Sequence, residues 1–344
     1  MMRLPAEFEP QSFVQLTWPH RDTDWAYVYD EVIDCYCNIA HEITKYESLL
    51  IVCQNQDDVT EQLNSHNVSL ENIRMFSCNI NDTWARDHAF ITCLQEDQKI
   101  LLDFQFNGWG LKFASNLDNQ INKKLYNADI VNGTYVNHLE FVLEGGSIES
   151  DGCGTILTTT SCLLAPNRNN ASDKSEIESR LLLFFNAQRV LWLNHSWLAG
   201  DDTDGHIDTV ARFCDKNTIA YVQCLDENDE HYEELHAMEN ELKQFKTLDG
   251  NAYNLLPLPM PKAIYDEEEK DQNGKPQRLP ATYANFLVIN GAVLMPTYGQ
   301  TENDDLAKNQ LQKAFPDRAI IGVDSRILIR QHGSLHCCTM QYPK

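Results

Sequence analysis

The chain has 344 residues, of which 51 are acidic and 27 are basic, so its formal net charge is −24 when histidines are neutral. Apolar residues make up 42% of the sequence, which is enough for a sizeable core and excludes a disordered chain. The acidic excess argues against nucleic acid or an anionic membrane as a partner, because both require cationic surface. Length alone suggests two domains, although one large α/β or repeat-built domain also fits.

Short runs rich in Val, Ile, Leu, Thr and Phe alternate with segments of helical spacing, which predicts an α/β or α+β class. In chain order the predicted elements are helix Trp25–Thr44, strand Ser48–Cys53, helix Asp57–Leu63, strands Ala89–Leu94, Lys99–Phe106 and Thr155–Thr160, helix Asp173–Phe185, strands Val190–Leu193, Ile207–Cys214 and Thr218–Cys224, helix Asn228–Lys246, strands Phe286–Ile289 and Ala292–Met295, and helix Asp304–Phe315. The charged segment Tyr265–Arg278 contains Gly and Pro and interrupts this series. We predict that it is a solvated surface loop, with a lid over a site as the alternative.

No secretory signal or membrane span is expected, since no apolar run approaches about 18 residues. The 11 cysteines are irregularly spaced and include no CxxC pair. We therefore expect reduced thiols in a cytoplasmic protein, with little support for a structural zinc site.

Polar residues concentrate in short segments, each at the end of a strand-like run or in a glycine-containing turn. The segments follow one another at roughly similar intervals, which suggests repeated units that each send one loop to a common centre. They are Thr83–His88, Leu143–Gly146, Gly200–Asp208, Pro296–Gln300 and Gly333–Thr339.

The last of these segments contains Cys337, which directly follows His336. A lone cysteine is usually a small buried hydrophobe, but one in a polar turn, with a His–Asp pair elsewhere, is a candidate nucleophile. His206 and Asp208 supply that pair, and their side chains would share one face if GHID belongs to a strand. A surface turn that enters a strand is the alternative.

Two further carboxylates lie in the polar segments. Asp87 would also fit an ordinary ion pair with Arg86, and Glu144, before two glycines, would also fit a turn. Taken with Asp208, however, three carboxylates near one cysteine favour a cationic substrate. A planar cation with several N–H donors suits paired carboxylates best, because guanidinium–carboxylate hydrogen bonds can be bidentate.

The order of the motifs WARD, LEGG, GHID and GSLHCCT resembles the guanidine-modifying superfamily, and most closely the agmatine deiminase and bacterial peptidylarginine-deiminase-like family. The resemblance extends over nearly the whole chain, and two features depart from it: the glycine-rich tail before the cysteine is reduced to HGSLHC, and the acidic loop at 265–278 is short. Further supporting segments are Leu16–Pro19, Phe106–Lys112, Leu193–Phe213, Thr282–Asn290 and Gly333–Pro343.

The resemblance implies a fold and a set of roles. Residues 1–344 would form one catalytic domain, a pseudo-fivefold α/β propeller (pentein) of five ββαβ-type units with the site on the central axis. Asp87 and Asp208 would hold the substrate guanidinium, and Cys337, as a thiolate, would attack its central carbon. His206 would act as general acid and then as general base, while Glu144 would orient His206 or share in holding the guanidinium.

The resemblance also implies a small cationic guanidino substrate and no metal or organic cofactor. We expect free agmatine, converted to N-carbamoylputrescine and ammonia in polyamine biosynthesis, because the segments around the site are rich in acidic and aromatic residues. Trp18, Trp84 and Trp109 are candidate walls for the alkyl chain, although each would also fit the core. A homodimer is expected, as is common for such enzymes.

Other functions fit parts of the pattern. Peptidylarginine deiminase, which acts on arginine in proteins, is the main alternative, followed by amidinotransferases and dimethylarginine hydrolases. A zinc hydrolase would use His206, Asp208, His336 and Cys337 as ligands, but the chain has no HExxH motif. A non-catalytic propeller protein, such as a ribosome anti-association factor, would have no reason to keep these residues together.

Overall fold

The computed structural model describes residues 1–96, 98–169, 173–270 and 274–344. Short strands are distributed along the whole chain. In chain order they are β1 (Met2–Arg3), β2 (Gln11–Thr17), β3 (Ser48–Cys53), β4 (Ile73–Ser77), β5 (Ile91–Gln95), β6 (Gln98–Gln105), β7 (Thr134–Val142), β8 (Ile148–Ser150), β9 (Thr155–Thr159), β10 (Arg189–Leu193), β11 (Ala211–Asp215), β12 (Thr218–Gln223), β13 (Asn254–Pro259), β14 (Tyr265–Lys270), β15 (Pro276–Arg278), β16 (Leu287–Ile289), β17 (Ala292–Thr297), β18 (Ala319–Asp324) and β19 (Thr339–Pro343).

Helices connect many of these strands. They are α1 (Tyr29–Thr44), α2 (Gln56–Ser65), α3 (Ala85–His88), α4 (Gly108–Leu111), α5 (Ile121–Asn127), α6 (Thr160–Leu163), α7 (Lys174–Phe185), α8 (Tyr232–Gln244) and α9 (Thr301–Ala314). Short 3₁₀ turns occur at Asp24–Val28, Asp118–Gln120, Gly145–Ser147, Ile207–Thr209 and Leu328–Gln331. Local chemistry fixes several helix starts: the side chains of Asn55 and Asp173 accept hydrogen bonds from the first turns of α2 and α7.

Five sheets of three or four strands, within the described residues, share one connection pattern. In each, an antiparallel pair of strands is joined through a helix to a third strand, which lies parallel to its neighbour in the pair. The sets are β5–β6–α5–β7, β8–β9–α7–β10, β11–β12–α8–β13, β16–β17–α9–β18 and β19–β2–α1–β3. The last set joins both ends of the chain, because the C-terminal strand β19 pairs with β2.

Apolar faces of the helices cover these sheets. In α1, for example, Val32, Tyr36, Ile39 and Ile43 are fully buried and recur at helical spacing. They belong to a cluster that also contains Trp84, Trp109 and Cys337, together with residues of β2 and β3. The core therefore supports the polar segments predicted to form the site.

Most predicted elements occur with shifted ends, and Ser48–Cys53 matches β3 at both ends. The prediction of one strand over Ile207–Cys214 is wrong at its start, because Ile207–Thr209 is a 3₁₀ turn and the strand begins later. Side chains hold this turn: His206 N–H donates to the Thr203 hydroxyl at 3.1 Å, and the Thr209 hydroxyl donates to the His206 carbonyl at 2.7 Å. Such local bonds compete with strand pairing.

The prediction of a surface loop over Tyr265–Arg278 is wrong in its lack of regular structure, although part of the segment, such as Tyr265, is exposed as predicted. The segment forms an antiparallel hairpin of β14 and β15, and residues 271–273 lie outside the described part of the chain. Asp266 and Arg278 are buried, and Arg278 Nη2 donates to Asp229 Oδ2 at 2.8 Å. The alternative that the segment closes over the site stays a prediction.

Within the described residues, none of the helices combines the length and the apolar character that a membrane crossing requires. All 11 cysteines are described, each has a free thiol, and only Cys153 among them is exposed. Because buried thiols are inert unless a neighbouring group activates them, the surroundings of each cysteine decide its chemistry.

Candidate active site

The connections between successive sheets carry the polar side chains of the site. Each connection leads from the last strand of one sheet to a strand of the next, so the site is built from segments far apart in sequence. The residues are Asp87 between β4 and β5, Glu144 between β7 and β8, His206 and Asp208 between β10 and β11, Asn285 between β15 and β16, and Cys337 between β18 and β19.

Cys337 lies in the turn before β19 and is buried. Its Sγ is 3.5 Å from Asn285 Oδ1 and 4.0 Å from Asp208 Oδ2. Burial raises the pKa of the Cys337 thiol well above its ordinary value, and the carboxylates of Asp208 and Asp87 raise it further. In the empty site, therefore, the thiol form is strongly favoured.

The adjacent cysteine has a different environment. Cys338 belongs to the apolar cluster around α1, and burial raises its pKa to about 12. Its thiol interacts with the Tyr36 hydroxyl, which opposes this rise. Of the two neighbouring thiols, only Cys337 has hydrogen-bonding contacts to the polar groups of the site.

Asp87 is held by two hydrogen bonds from other segments. Its Oδ1 accepts from the Gly146 N–H at 3.0 Å, and its Oδ2 accepts from Trp109 Nε1 at 2.9 Å. A Cβ at Gly146 would lie 2.6 Å from His206 Nδ1 and 2.9 Å from Asp87 Oδ1, so only glycine permits this approach. Burial raises the pKa of Asp87, and the charge of His206 opposes the rise.

His206 is fully buried, and neither of its ring nitrogens has a hydrogen-bond partner within ordinary limits. Its Nδ1 lies 3.7 Å from Asp87 Oδ1. Burial lowers the pKa of His206, but the neighbouring Asp87, Cys162 and Glu144 outweigh it and raise the pKa well above its ordinary value. His206 is therefore protonated at neutral pH and is placed to release a proton.

Asp208 is fully buried beside Cys337. Its Oδ2 accepts a hydrogen bond from His336 Nδ1 at 2.6 Å, whereas its Oδ1 has no partner. Burial raises the pKa of Asp208, but the bond from His336 outweighs it and the pKa is lowered. Asp208 thus presents an ionised carboxylate with one oxygen available to a ligand.

Glu144 has an arginine partner. Arg168 Nε donates to Glu144 Oε1 at 2.9 Å and to Oε2 at 3.2 Å, and Arg168 Nη1 donates to Asp204 at 2.6 Å. Glu144, Cys162 and His206 have donor atoms within 4.8 Å of one another, a spacing that could hold a metal ion. Because Arg168 already binds both oxygens of Glu144, we interpret this cluster as the surroundings of His206 and not as a metal centre.

Aromatic side chains line the cavity that contains the thiol. Trp84, Trp109 and Phe113 border it together with Asp87 and Cys337. Trp109 has a left-handed backbone conformation with φ of 53°, which accompanies the bond from its indole to Asp87. Its ring meets Phe113 edge to face, with centroids 5.5 Å apart.

The comparison of this chain with known proteins identifies its relatives. The model for Porphyromonas-type peptidyl-arginine deiminases matches residues 3–343. The chain belongs to this family. The match covers all of the polar segments that carry the site.

Solved structures share the fold of this family member. A Porphyromonas gingivalis protein, described as a provisional arginine deiminase, is 49% identical with a TM-score of 0.92, covering 100% of this chain and 99% of its own. A C. jejuni agmatine deiminase with substrate bound is 39% identical with a TM-score of 0.90, covering 100% and 97%. An Enterococcus faecalis agmatine deiminase is 31% identical with a TM-score of 0.89, covering 100% and 96%.

Not every predicted site residue of this family member reaches the cavity. The structure brings Asp87, Glu144, His206, Asp208 and Cys337 together, with Trp84 and Trp109 at the cavity wall. Trp18 is the exception, and its assignment as a wall is wrong. Its indole donates to Gln62 Oε1 at 2.8 Å and its ring packs edge to face on Tyr36, because it fills the core between β2 and α1.

The sequence analysis also selected the wrong polar segment for the connection between β15 and β16. Pro296–Gln300 begins at the end of β17, inside a sheet, and Asn285 occupies the connection instead. Asn285 and Arg168 had both been overlooked. Only the segment Thr282–Asn290, noted for its family resemblance, gave a signal for Asn285, and no local pattern marked Arg168 as the partner of Glu144.

Proposed function

We propose that this protein is a deiminase that hydrolyses a small guanidinium substrate through a covalent intermediate on Cys337. The observation that carries the proposal is a buried thiol surrounded by ligand-free polar atoms: Oδ1 of Asp208 and both ring nitrogens of His206 lack partners. A guanidinium in this cavity would supply donors to the carboxylates of Asp87 and Asp208. It would also bring its central carbon close to the sulfur.

The first half of the reaction forms a bond between Cys337 Sγ and the guanidinium carbon. As the guanidinium binds, the thiol proton leaves to bulk water; the thiolate then attacks, and the resulting tetrahedral adduct is neutral because the sulfur charge cancels the substrate charge. His206 then transfers its proton to one nitrogen, the C–N bond breaks, and ammonia leaves. A cationic S-alkylthiouronium remains on Cys337 beside a neutral imidazole.

The second half hydrolyses that intermediate. Neutral His206 takes a proton from water, and the hydroxide adds to the same carbon. The C–S bond breaks, the electron pair returns to Cys337, and the hydroxyl proton passes to the departing thiolate, which forms the ureido product and restores the thiol beside protonated His206. These steps use only water and side chains of the chain itself.

Substrate binding should favour ionisation of the Cys337 thiol, which the carboxylates of the site oppose when no cation is bound. Two carboxylates raise the pKa of the Cys337 thiol when no cation is bound. A guanidinium paired with Asp87 and Asp208 cancels that field, so thiolate formation becomes favourable only when substrate is present. This coupling also protects the thiol from reaction in the empty enzyme.

Agmatine is the substrate we infer, with N-carbamoylputrescine and ammonia as products, which places the reaction in polyamine biosynthesis. Three aspartates line the cavity besides Asp87, namely Asp24, Asp82 and Asp202; burial raises the pKa of Asp82 to about 8, so Asp82 contributes little negative charge at neutral pH. Burial raises the pKa of Asp202 to about 6, so it is ionised at neutral pH and suits the distal ammonium group of agmatine. The carboxylate of free arginine would be repelled there. The agmatine deiminases among the solved relatives support the same inference.

Peptidylarginine deimination is the second candidate, and the description of the matching family favours it. The two candidates share the Cys337 and His206 chemistry and differ in what lies beyond the guanidinium. An acidic cavity wall favours a second cation over the neutral backbone of a peptide.

The decisive experiment measures ammonia release from agmatine, free arginine and an arginine-containing peptide side by side, with Cys337→Ser as the blank. We expect agmatine to lead in kcat/KM by at least about a hundredfold, roughly the effect of one buried charge mismatch. A peptide turned over faster than agmatine would overturn the substrate assignment and support peptidylarginine deimination.

The proposal extends to the architecture. We propose that residues 1–344 form one catalytic domain, with the five ββαβ sets arranged around a common axis as a pentein propeller. The placement of one polar connection per set at a single site supports this arrangement. The pairing of β19 with β2 supports closure of the ring.

A further inference from the structure

A second buried group of charged residues adjoins the site, and the proposed reaction does not use it. We name it the support network. It comprises Glu7, Arg86, Glu149, Arg212 and His336, all of which are buried. The members come from the N-terminal segment, α3, β8, β11 and the turn before β19. No short-range sequence pattern joins them.

His336 connects this network to the site. Its Nδ1 is 2.6 Å from Asp208 Oδ2, and its Nε2 is 2.6 Å from Glu7 Oε2. Carboxylate oxygens accept hydrogen bonds and cannot donate them when ionised. Burial would raise the pKa of Glu7, but His336 and Arg212 lower it, so Glu7 is ionised like Asp208. Both ring nitrogens lie at hydrogen-bonding distance from a carboxylate oxygen, so the His336 ring bridges Asp208 and Glu7.

Glu7 is itself fixed from three further sides. Its Oε1 accepts from the Val288 N–H at 2.7 Å, and its Oε2 accepts from Arg212 Nη2 at 3.0 Å. Arg86 Nη2 lies 3.4 Å from the same oxygen. Glu7 thus holds the His336 ring on the side opposite Asp208, and Glu7 is in turn held by groups that are not hydrogen-bonded to the thiol.

We propose that Glu7 and His336 are positioning residues, which hold one oxygen of Asp208 so that its other oxygen faces the substrate guanidinium. The geometry supports this role because Oδ2 of Asp208 is bonded to His336 while Oδ1 has no partner. The inference rests on the proposed function, since it assigns Asp208 to guanidinium binding. Neither Glu7 nor His336 touches the substrate itself.

The main test is a double-mutant cycle with Glu7→Gln and Asp208→Asn, using ammonia release from agmatine. Glu7→Gln keeps the shape of the side chain and should raise KM about 10- to 100-fold while kcat changes less than about threefold. In the Asp208→Asn background the same substitution should change KM less than about twofold, because its effect passes through Asp208.

Glu9→Gln is the matched control, because it makes the same change two residues away. Glu9 pairs with Arg3 at 2.6 Å and has no contact with His336, so KM should stay within about twofold. If Glu7→Gln fails to fold, Glu7→Asp retains a charge beside Arg212 but shortens the side chain, and it should show the same rise in KM. The proposal would be overturned if a Glu7 substitution raised KM equally in the wild-type and Asp208→Asn backgrounds. It would also be overturned if a Glu7 substitution left KM unchanged.

A readout without substrate separates this proposal from the proposed function. His336→Asn removes the ring that bonds Oδ2 of Asp208, which should leave this carboxylate free to turn toward Cys337 and slow alkylation of the thiol by iodoacetamide about tenfold at pH 8. If the wild-type protein does not act on agmatine but His336→Asn slows alkylation, the substrate assignment fails and the positioning role of His336 stands. If His336→Asn is alkylated at the wild-type rate, the positioning role is contradicted, whatever the substrate.

Discussion

Two buried charged regions adjoin in this protein, and they differ in how completely their polar atoms are bonded. In the support network, Arg212 donates to Glu149, to Glu7 at 3.0 Å and to two backbone carbonyls. In the candidate active site, both ring nitrogens of His206 and Oδ1 of Asp208 have no partner. The two regions share burial and charge, and His336 lies between them.

The difference indicates where a ligand would bind. A buried polar atom without a hydrogen bond costs about 1–3 kcal/mol, so a folded protein usually satisfies such atoms. The support network meets this rule except at Arg86 Nη2, which lies 3.4 Å from Glu7 Oε2, and it therefore has the character of a scaffold. The active site violates it at several atoms that converge on one thiol: a bound guanidinium would donate to Oδ1 of Asp208, whereas the N–H groups of protonated His206 need an acceptor, which the substrate nitrogen becomes when the adduct forms.

The largest effect should come from the thiol. Cys337→Ser should reduce ammonia release by at least about 10,000-fold, because a serine hydroxyl is far less ionised than a thiol. Cys338→Ser, which changes the neighbouring buried thiol, should keep most of the activity. Mass spectrometry after iodoacetamide inactivation should find the label on Cys337; a label on Cys338 with Cys337 free would contradict the assignment.

A smaller but still large effect should come from the carboxylates. Asp87→Asn keeps the shape of the side chain but removes a charge from a buried pair with the substrate. Losing one side of such a pair costs on the order of 2–5 kcal/mol, or about 30- to 5000-fold in kcat/KM. The amide oxygen can accept only one of the two hydrogen bonds that Gly146 and Trp109 donate to Asp87, so the melting temperature should also fall, by about as much as in a buried aspartate with two donors outside the site.

Asp103→Asn provides the matched control for that prediction. Asp103 is buried and accepts from Asn122 Nδ2 and Tyr135 OH, both at 2.7 Å, but it lies outside the cavity. It should lower the melting temperature and leave kcat/KM of the folded protein within about twofold. If Asp87→Asn instead unfolds the protein and its folded fraction is fully active, Asp87 is structural.

The sequence predicted the elements that carry their own signal. The run Ser48–Cys53 is apolar throughout and was predicted to the residue. The strands Ile73–Ser77, Thr134–Val142 and Asn254–Pro259 were missed, because their exposure is mixed or they contain proline. Each of them is the parallel outer partner of a stronger strand, so their structure depends on pairing that a local window does not show.

The same limit applies to the site. Residues in motif-like segments, such as Cys337 and His206, could be selected from their chemistry and family resemblance. Their partners could not, because the contacts that define them are long-range: Glu7 and His336 are separated by 329 positions. The same holds for the location of Trp18, because an indole near a motif can pack in the core as well as line a cavity.

The pH dependence of thiol reactivity should sharpen the contrast between empty and occupied sites. In the substrate-free protein, burial and the aspartates raise the pKa of Cys337, so the thiolate is scarce at neutral pH. Alkylation by iodoacetamide should be slow at pH 7 and rise about tenfold per pH unit, or roughly a hundredfold by pH 9. A rate that already levels off below pH 7 would show that the empty site stabilises the thiolate.

A buried carboxyl oxygen of Glu47, outside the site, also has no hydrogen-bond partner and can be compared with the unpartnered atoms of the active site. Glu47 lies between α1 and β3, where its Oε2 accepts from the Asn290 N–H at 3.0 Å and its Oε1 has no partner. Burial raises the pKa of this carboxyl to about 7. Because Glu47 does not line the cavity that contains the Cys337 thiol, this atom should be a cost to stability with no catalytic use.

Glu47→Gln should therefore stabilise the protein without changing its activity. The unfolded carboxyl has a pKa of about 4.3, so the folded state binds the extra proton between about pH 4 and 7 and loses stability as pH rises through that window. A neutral amide avoids the loss. Urea unfolding should show Glu47→Gln more stable than the parent by about 1–2 kcal/mol at pH 8, with almost no difference near pH 4.5. If the variant is equally destabilised at both pH values, the shape of the carboxyl group matters more than its ionisation. If the variant releases less ammonia than the parent, the functional site includes Glu47, which the geometry leaves outside it.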